Sequence, residues 1–269
     1  MSARLFLPRD SAALALGAEA VARALAAALP GVTLVRTGSR GMVWLEPLLE
    51  VATPSGRVGY GPVSAADVSG LVAAGVLEGG AHPLRIGPVE EHPFLAAQSR
   101  LTFARVGVVD PLSAEAFLAA GGMAGLRWAL AAGPAATRAA IAGSGLRGRG
   151  GAGFPAGRKW ETVAAASGTR KFVVANADEG DSGTFADRML IEGDPFALIE
   201  GMAIAGFAVG AERGYVYLRS EYPEAARVFG AALAVAEGRG WLGGDVLGSG
   251  FAFGIELRLG AGAYVCGEE

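Results

Sequence analysis

A chain of 269 residues, 52% of them hydrophobic, is long enough for about two domains and apolar enough to bury a sizeable core. A net charge of −3 gives no support to a nucleic-acid partner held by bulk electrostatics. The single cysteine, Cys266, excludes an internal disulfide framework and an iron–sulfur cluster ligated wholly by this stretch. Arg4 and Arg9 flank only the short Leu5-Phe6-Leu7 run, which is no secretory signal. The longest apolar stretch, Leu198 to Ala211, is interrupted by Glu200 and too short to span a bilayer. The expected location is the cytoplasm, with no membrane insertion.

Residues 1–80 read as a small α/β unit. Arg4-Leu5-Phe6-Leu7-Pro8 is a candidate strand, Ala12 to Leu29 a candidate helix with apolar positions at helical spacing, and Val32-Thr33-Leu34-Val35 a second strand. Leu48 to Ala52 and Arg57 to Tyr60 flank the turn Thr53-Pro54-Ser55-Gly56 and read as a hairpin. A last helix starts on a Ser64 N-cap, with Asp67 placed to close a short capping box. The order, βαβ then ββα, is that of a thioredoxin-like domain.

Residues 81–130 read as a connector. His82-Pro83 and His92-Pro93 contain both histidines, each biased toward an extended conformation by the proline that follows. With no cysteine or supporting ligand pattern beside them they read as loop residues, and no metal site is assigned.

From residue 131 onward the chain is organised around Gly145-Leu146-Arg147-Gly148-Arg149-Gly150-Gly151-Ala152-Gly153-Phe154-Pro155-Ala156-Gly157-Arg158-Lys159-Trp160, which holds six glycines, four cations and two aromatics. Glycine accepts positive φ and lets backbone N–H groups approach a ligand closely, and the interleaved cations mark that ligand as an anion. Phosphate fits best, because a helix expected to begin near Lys159 would add its N-terminal donors and dipole. The loop contains a literal G-x-G-x-x-G at Gly148, Gly150 and Gly153, but the preceding Pro134 to Ala142 is alanine-rich and helical. A Rossmann fingerprint would follow a strand, so the expected domain is α/β layered but not a standard Rossmann fold.

Lys171-Phe172-Val173-Val174-Ala175 then reads as a strand, and Asn176-Ala177-Asp178-Glu179-Gly180-Asp181 as the polar segment at its carboxyl end, where α/β sheets make ligand contacts. A helical region from Asp187 to Ala211 is expected to break at Asp194-Pro195, its second half being apolar on most sides and therefore buried. Strand Tyr215 to Arg219, helix Glu224 to Glu237 and strand Phe251 to Leu259 complete the alternation, with Glu268 and Glu269 at the same rim.

The glycine loop, the Asn176-Ala177-Asp178-Glu179 turn, the Gly214-Tyr215-Val216-Tyr217-Leu218-Arg219 strand and the Gly260 to Glu269 segment together resemble the FMN- and NADH-binding flavoprotein subunit of respiratory complex I. The same module occurs in NAD-linked hydrogenases and in NAD-dependent, molybdenum-containing formate dehydrogenases. The resemblance covers about residues 130–269. It implies that Gly148, Arg149, Gly150 and Lys159 line FMN, and that Asn176, Asp178 and Glu179 hold its ribityl and phosphate portion. It further implies that Gly151 and Phe154 hold NAD, and that Tyr264, Gly267, Glu268 and Glu269 close the site beside flavin and nicotinamide. Asp181 stands where many relatives have a glutamate, and Thr162 where some have a second aromatic. No acid or base is implied, because FMN carries the hydride chemistry.

Residues 1–80 resemble the thioredoxin-like ferredoxin subunit that partners such flavoproteins, whose two-iron cluster needs cysteines around Pro8, Ala13, Ser39 and Val43. All are absent here, so this copy is degenerate and retained for packing or docking. That extension points to the diaphorase (beta) subunit of a soluble formate dehydrogenase, an NAD(H)-dependent flavoprotein oxidoreductase. Its implied partners are a molybdenum-containing catalytic subunit with iron–sulfur clusters and a thioredoxin-like 2Fe–2S subunit. The alternatives are the equivalent subunit of a hydrogenase or of complex I, and, in another class, a non-catalytic docking module. Relatives continue into a domain with a 4Fe–4S cluster, so this chain, ending mid-motif at Glu269, is expected to be truncated.

Overall fold

The computed structural model describes residues 3–168 and 170–264, and places the apolar run of Arg4–Pro8 inside a five-stranded sheet, second from one edge. This strand, β1, pairs in parallel with β2 (Thr33–Thr37) and antiparallel with β3 (Leu49–Thr53). β3 turns through Pro54 and Ser55 into β4 (Gly56–Tyr60), the expected hairpin, and β5 (Arg85–Pro88) completes the order β2-β1-β3-β4-β5. Flanked on both sides, β1 buries Leu5, Phe6 and Leu7. Its core includes Val21, Leu25, Leu49, Val51, Tyr60, Val68 and Leu71.

The continuous helix expected over residues 12–29 is two helices, α1 (Ser11–Ala15) and α2 (Ala18–Ala28). Gly17 between them takes a left-handed φ of 96°, which a helix interior cannot accommodate. The capping box is present, Asp67 Oδ2 accepting from Ser64 N at 2.8 Å and from Ser64 Oγ at 2.6 Å, ahead of α3 (Val68–Ala73).

By internal contacts the chain forms two units, Met1–Ala116 with Met189–Asp194, and Phe117–Arg188 with Pro195–Glu269. Residues 81–130 are divided between them. β5 and the short α4 (Pro93–Ala96) belong to the first unit, α5 (Ala114–Ala119) straddles the division, and α6 (Ala124–Ala132) belongs to the second. His82 and His92 serve local turns, their Nδ1 atoms accepting from Leu84 N at 3.2 Å and Phe94 N at 3.3 Å.

In the second unit, β6 (Phe172–Ala177), β7 (Arg213–Leu218) and β8 (Gly254–Leu259) form a parallel sheet in sequence order, in register from Phe172 opposite Arg213 to Ala177 opposite Leu218. Helices α7 (Pro134–Gly143) and α8 (Ala156–Ala165) precede it. α9 (Ala186–Gly193) and α10 (Pro195–Val209) are separated at Asp194-Pro195 as expected, and α11 (Pro223–Gly238) joins β7 to β8. α10 is buried on most of its surface, with Phe196, Ile199, Met202 and Ala203 inside, and its Phe196 meets Phe117 and Trp241 at centroid distances of 5.4 and 5.3 Å. α8 starts at Ala156, three residues before the expected position, because Pro155 at φ −61° is preset for helix entry. Gly157 lets α8 approach α7 so closely that a β-carbon there would lie 2.5 Å from Ala142 Cα.

Candidate functional site

The glycine loop is a lobe closed at its neck. Ala156 N donates to Leu146 O at 2.9 Å, Gly148 N donates to Phe154 O at 2.9 Å, and Arg147 Nη1 reaches Gly153 O at 3.1 Å. Within the lobe Gly151 and Gly153 have φ of +107° and +61°, conformations that other L-residues strain to adopt. Nothing lies within 4 Å of where a β-carbon would stand at Gly150, Gly151 or Gly153, so the lobe is open to a ligand. α8 begins immediately after it with no side-chain N-cap, leaving its first N–H groups without intrahelical partners. Arg149, Arg158 and Lys159 are exposed and have no carboxylate partner among the described residues. Phe154 is 44% exposed, with the Arg158 guanidinium 5.9 Å from its ring. The arrangement concentrates oriented donors and positive charge on an accessible surface, which is the chemistry of a phosphate cradle.

The polar turn follows β6, which runs through Asn176 and Ala177, two residues past the expected strand end. Asn176 Oδ1 accepts from Asp178 N at 3.0 Å, an Asx turn that starts the loop. Glu179 has φ +42°, and its carboxylate accepts from Asp187 N at 2.7 Å and Arg188 N at 3.1 Å, capping α9 from outside the helix. Tyr222 Oη lies 3.1 Å from Glu179 Oε2 and 3.2 Å from Thr184 O, and Arg219 Nη1 donates to Glu179 O at 2.7 Å. Burial, then the Glu179 charge, push both the Asp187 carboxyl and the Tyr222 hydroxyl up, so each holds its proton more tightly. The Asp178 and Asp181 carboxylates have no partner among the described residues.

Tyr264 reaches this turn: a β-carbon at Gly180 would lie 3.1 Å from its ring and 3.4 Å from Asp178 Oδ2. Tyr264, Gly180 and Asp178 are thus neighbours, while Gly267, Glu268 and Glu269 lie outside the described residues. Arg219, Tyr222 and Asp187 are additions that sequence reading did not single out. The parallel register offers a signal for Arg219, since Ala177 opposite Leu218 sets the residue after β7 beside the turn after β6.

In the first unit, the segments around Asp10 and Ser39 are held by carboxylate acceptors. Asp10, buried, caps α1 by accepting from Ala13 N at 3.2 Å, and Glu192 accepts from Ser11 N and Oγ at 2.7 and 2.6 Å. Ser39 Oγ donates to Glu46 Oε1 at 2.7 Å, and Leu48 N to Oε2 at 2.8 Å. Arg40 makes a bidentate pair with Glu50, both contacts 2.9 Å. Among the described residues no group of three or more His, Cys, Asp or Glu side chains could hold a metal ion, and no helix is long and apolar enough to cross a membrane.

A parallel α/β layer with unpaired carboxylates after one strand, and a cationic glycine lobe at an uncapped helix N-terminus, together supply the donors and acceptors that a nucleotide needs. Residues 141–269 match the Nuo51 FMN-binding domain family. The chain is 48% identical over 172 residues to the HndC component of the NADP-reducing hydrogenase of Solidesulfovibrio fructosivorans, covering 64% of this chain and 35% of that protein. It is 55% identical over 126 residues to a component of the NADH-quinone oxidoreductase of Rhizobium meliloti, covering 47% and 30%. With a component of the NADH-quinone oxidoreductase of Aquifex aeolicus it shares 46% over 157 residues, covering 58% and 37%. The matched region thus spans about a third of the length of these relatives. The fold is similar to the crystal structure of an NAD+-reducing NiFe-hydrogenase in the H2-reduced state, with a TM-score of 0.50, 28% identity, and coverage of 99% of this chain and 44% of that one.

Burial pushes the Glu46 carboxyl from its ordinary 4.5 up to about 7, with the Asp10 and Glu50 charges adding to the shift. A carboxyl raised by folding favours the native state while it is neutral, so its contribution is complete below pH 4.5 and fades as pH rises to about 7. Glu46→Gln keeps the neutral form at every pH. Relative to wild type, the variant is expected to gain stability between those values by an amount on the order of 3 kcal/mol, read by urea unfolding across the range. A pH-independent difference would show that folding does not raise the Glu46 pKa.

Proposed function

We propose that this chain is the NADH- and FMN-handling part of a diaphorase subunit, which passes electrons between NAD(H) and iron–sulfur clusters. The observation that carries the reading is the open glycine lobe at the uncapped start of α8, in a region that matches the Nuo51 FMN-binding domain family. The residues fit the cofactor in charge: N–H groups and cations on the lobe suit phosphates, and unpaired carboxylates on the turn suit sugar hydroxyls. α8 is followed directly by β6, and a helix packed antiparallel to the strand it precedes would bring the lobe before α8 and the turn after β6 to one end of the unit.

In this reading Gly148, Arg149, Gly150 and Lys159 hold the flavin phosphate, while Asn176 and Asp178 accept from ribityl hydroxyls. Gly151 gives NAD(H) backbone access and Phe154 offers a ring face to adenine. Asp181 takes the nicotinamide ribose, and Tyr264 closes the turn side, with Gly267, Glu268 and Glu269 assigned there by resemblance. Bound FMN supplies an acceptor for a hydride whose electrons can leave singly. The chain's own work is to bind, orient and exclude water, so no side chain is given an acid or base role.

The cysteine-free first unit ahead of the flavin domain supports a finer assignment. We place the chain in a soluble formate dehydrogenase, with a molybdenum-containing catalytic subunit and a thioredoxin-like 2Fe–2S subunit as partners and a 4Fe–4S cluster outside these residues. The second reading is the equivalent flavin subunit of an NAD-linked hydrogenase, in which hydrogen is the donor, or of complex I.

At Gly151, with φ +107° and open space beyond it, valine would strain the lobe and occupy the cradle. Gly151→Val in the full-length protein is expected to lower FMN content and NADH oxidation with an artificial acceptor by about 10-fold or more. Unchanged values for both would remove the lobe from the site. Complexes purified through this subunit should reduce NAD+ with formate; reduction with hydrogen instead would establish the second reading.

A further inference from the structure

Glu179 occupies a left-handed backbone conformation, φ +42°, that few residues with long side chains adopt. What its side chain reaches explains why it stands there. A carboxylate offers about four lone-pair directions. Those of Glu179 meet Asp187 N at 2.7 Å, Arg188 N at 3.1 Å and Tyr222 Oη at 3.1 Å, so little acceptor capacity is left for a ligand. The main chain of the same residue is gripped as well, Arg219 Nη1 donating to its carbonyl at 2.7 Å. The guanidinium groups of Arg219 and Arg188 lie 4.9 and 5.4 Å from the Tyr222 ring, so the two arginines and the tyrosine form one assembly around the turn. The turn residues on either side differ in character: Asp178 and Asp181 have carboxylates without a partner among the described residues.

We infer that Glu179 is a positioning residue and not a ligand contact, and that Tyr222 and Arg219 act through it to hold the Asn176–Asp181 turn so that Asp178 meets the flavin nucleotide and Asp181 the nicotinamide one. The ligand half of this inference rests on the flavin-domain reading above. The anchoring half concerns the protein alone.

The test uses the full-length protein with Tyr222→Phe, Glu179→Gln, their double variant, and Asp178→Asn alone and combined with Tyr222→Phe. Circular dichroism checks that each is folded. FMN affinity is read from quenching of flavin fluorescence, and amide hydrogen exchange over residues 178–190 is followed without cofactor. Tyr222→Phe and Glu179→Gln should each weaken FMN binding about 5–10-fold, and the double variant should be no weaker than the worse single, because both act through one carboxylate. In the Asp178→Asn background Tyr222→Phe should weaken FMN binding less than it does alone, because it acts on the ligand partly through that carboxylate. Exchange at Asp187 and Arg188 should quicken about 10-fold in Tyr222→Phe and Glu179→Gln and stay unchanged in Asp178→Asn. Multiplying effects of Glu179→Gln and Tyr222→Phe on FMN, with unchanged exchange, would overturn the inference and make Glu179 a ligand contact. No FMN binding by the wild type, with the exchange effects intact, would overturn the flavin reading and its ligand half while supporting the anchor.

Discussion

The second unit's chemistry depends on the two main-chain hydrogen bonds that close the neck of the glycine loop, Gly148 N to Phe154 O and Ala156 N to Leu146 O. A glycine-rich segment left free would be an entropic liability, since each residue ordered on binding costs about 1–2 kcal/mol. Closed at the neck and continued directly into α8, the lobe is held while its interior donors stay open. α8 is in turn seated against α7 at Gly157, where only a missing side chain permits the approach. The order of dependence runs from helix packing, to the neck, to the donors, and only then to charge.

Carboxylates do two kinds of work in this protein. Three cap helices from a distance: Glu179 serves α9, Glu192 serves the start of α1, and Glu200 accepts from Met123 N and Leu126 N at the start of α6. Each meets helix N-terminal donors that no local N-cap satisfies alone, and each negative charge also suits the dipole there. Asp178 and Asp181, by contrast, follow a strand end with no internal partner among the described residues, and the proposed reading gives them to a ligand. The distinction between a capping acid and a binding acid is geometric and does not show in residue type.

That limit explains which features were legible in the sequence. The β1 run, the hairpin at Pro54-Ser55, the Ser64–Asp67 box and the break at Asp194-Pro195 are local, each set by residues within a few positions of one another. The glycine lobe was legible for the same reason. β5 was not, because Gly87 and Pro88 look like a turn until β4 pairs with them. Gly17 was read through as a helical glycine, since nothing nearby signals its left-handed backbone. The grip of Arg219 and Tyr222 on Glu179 spans about forty residues and exists only once β6 and β7 are in parallel register. In the first unit the lack of cysteine was plain from the sequence, but not the buried Ser39–Glu46 and Arg40–Glu50 pairs.

The most direct test of the account is a visible absorption spectrum of the purified full-length protein, with the released cofactor identified and NADH then added without oxygen. The account predicts bound FMN whose absorption bleaches on addition of NADH. A folded full-length protein that carries no flavin and takes none up would contradict it, and would assign the glycine lobe to some other anion.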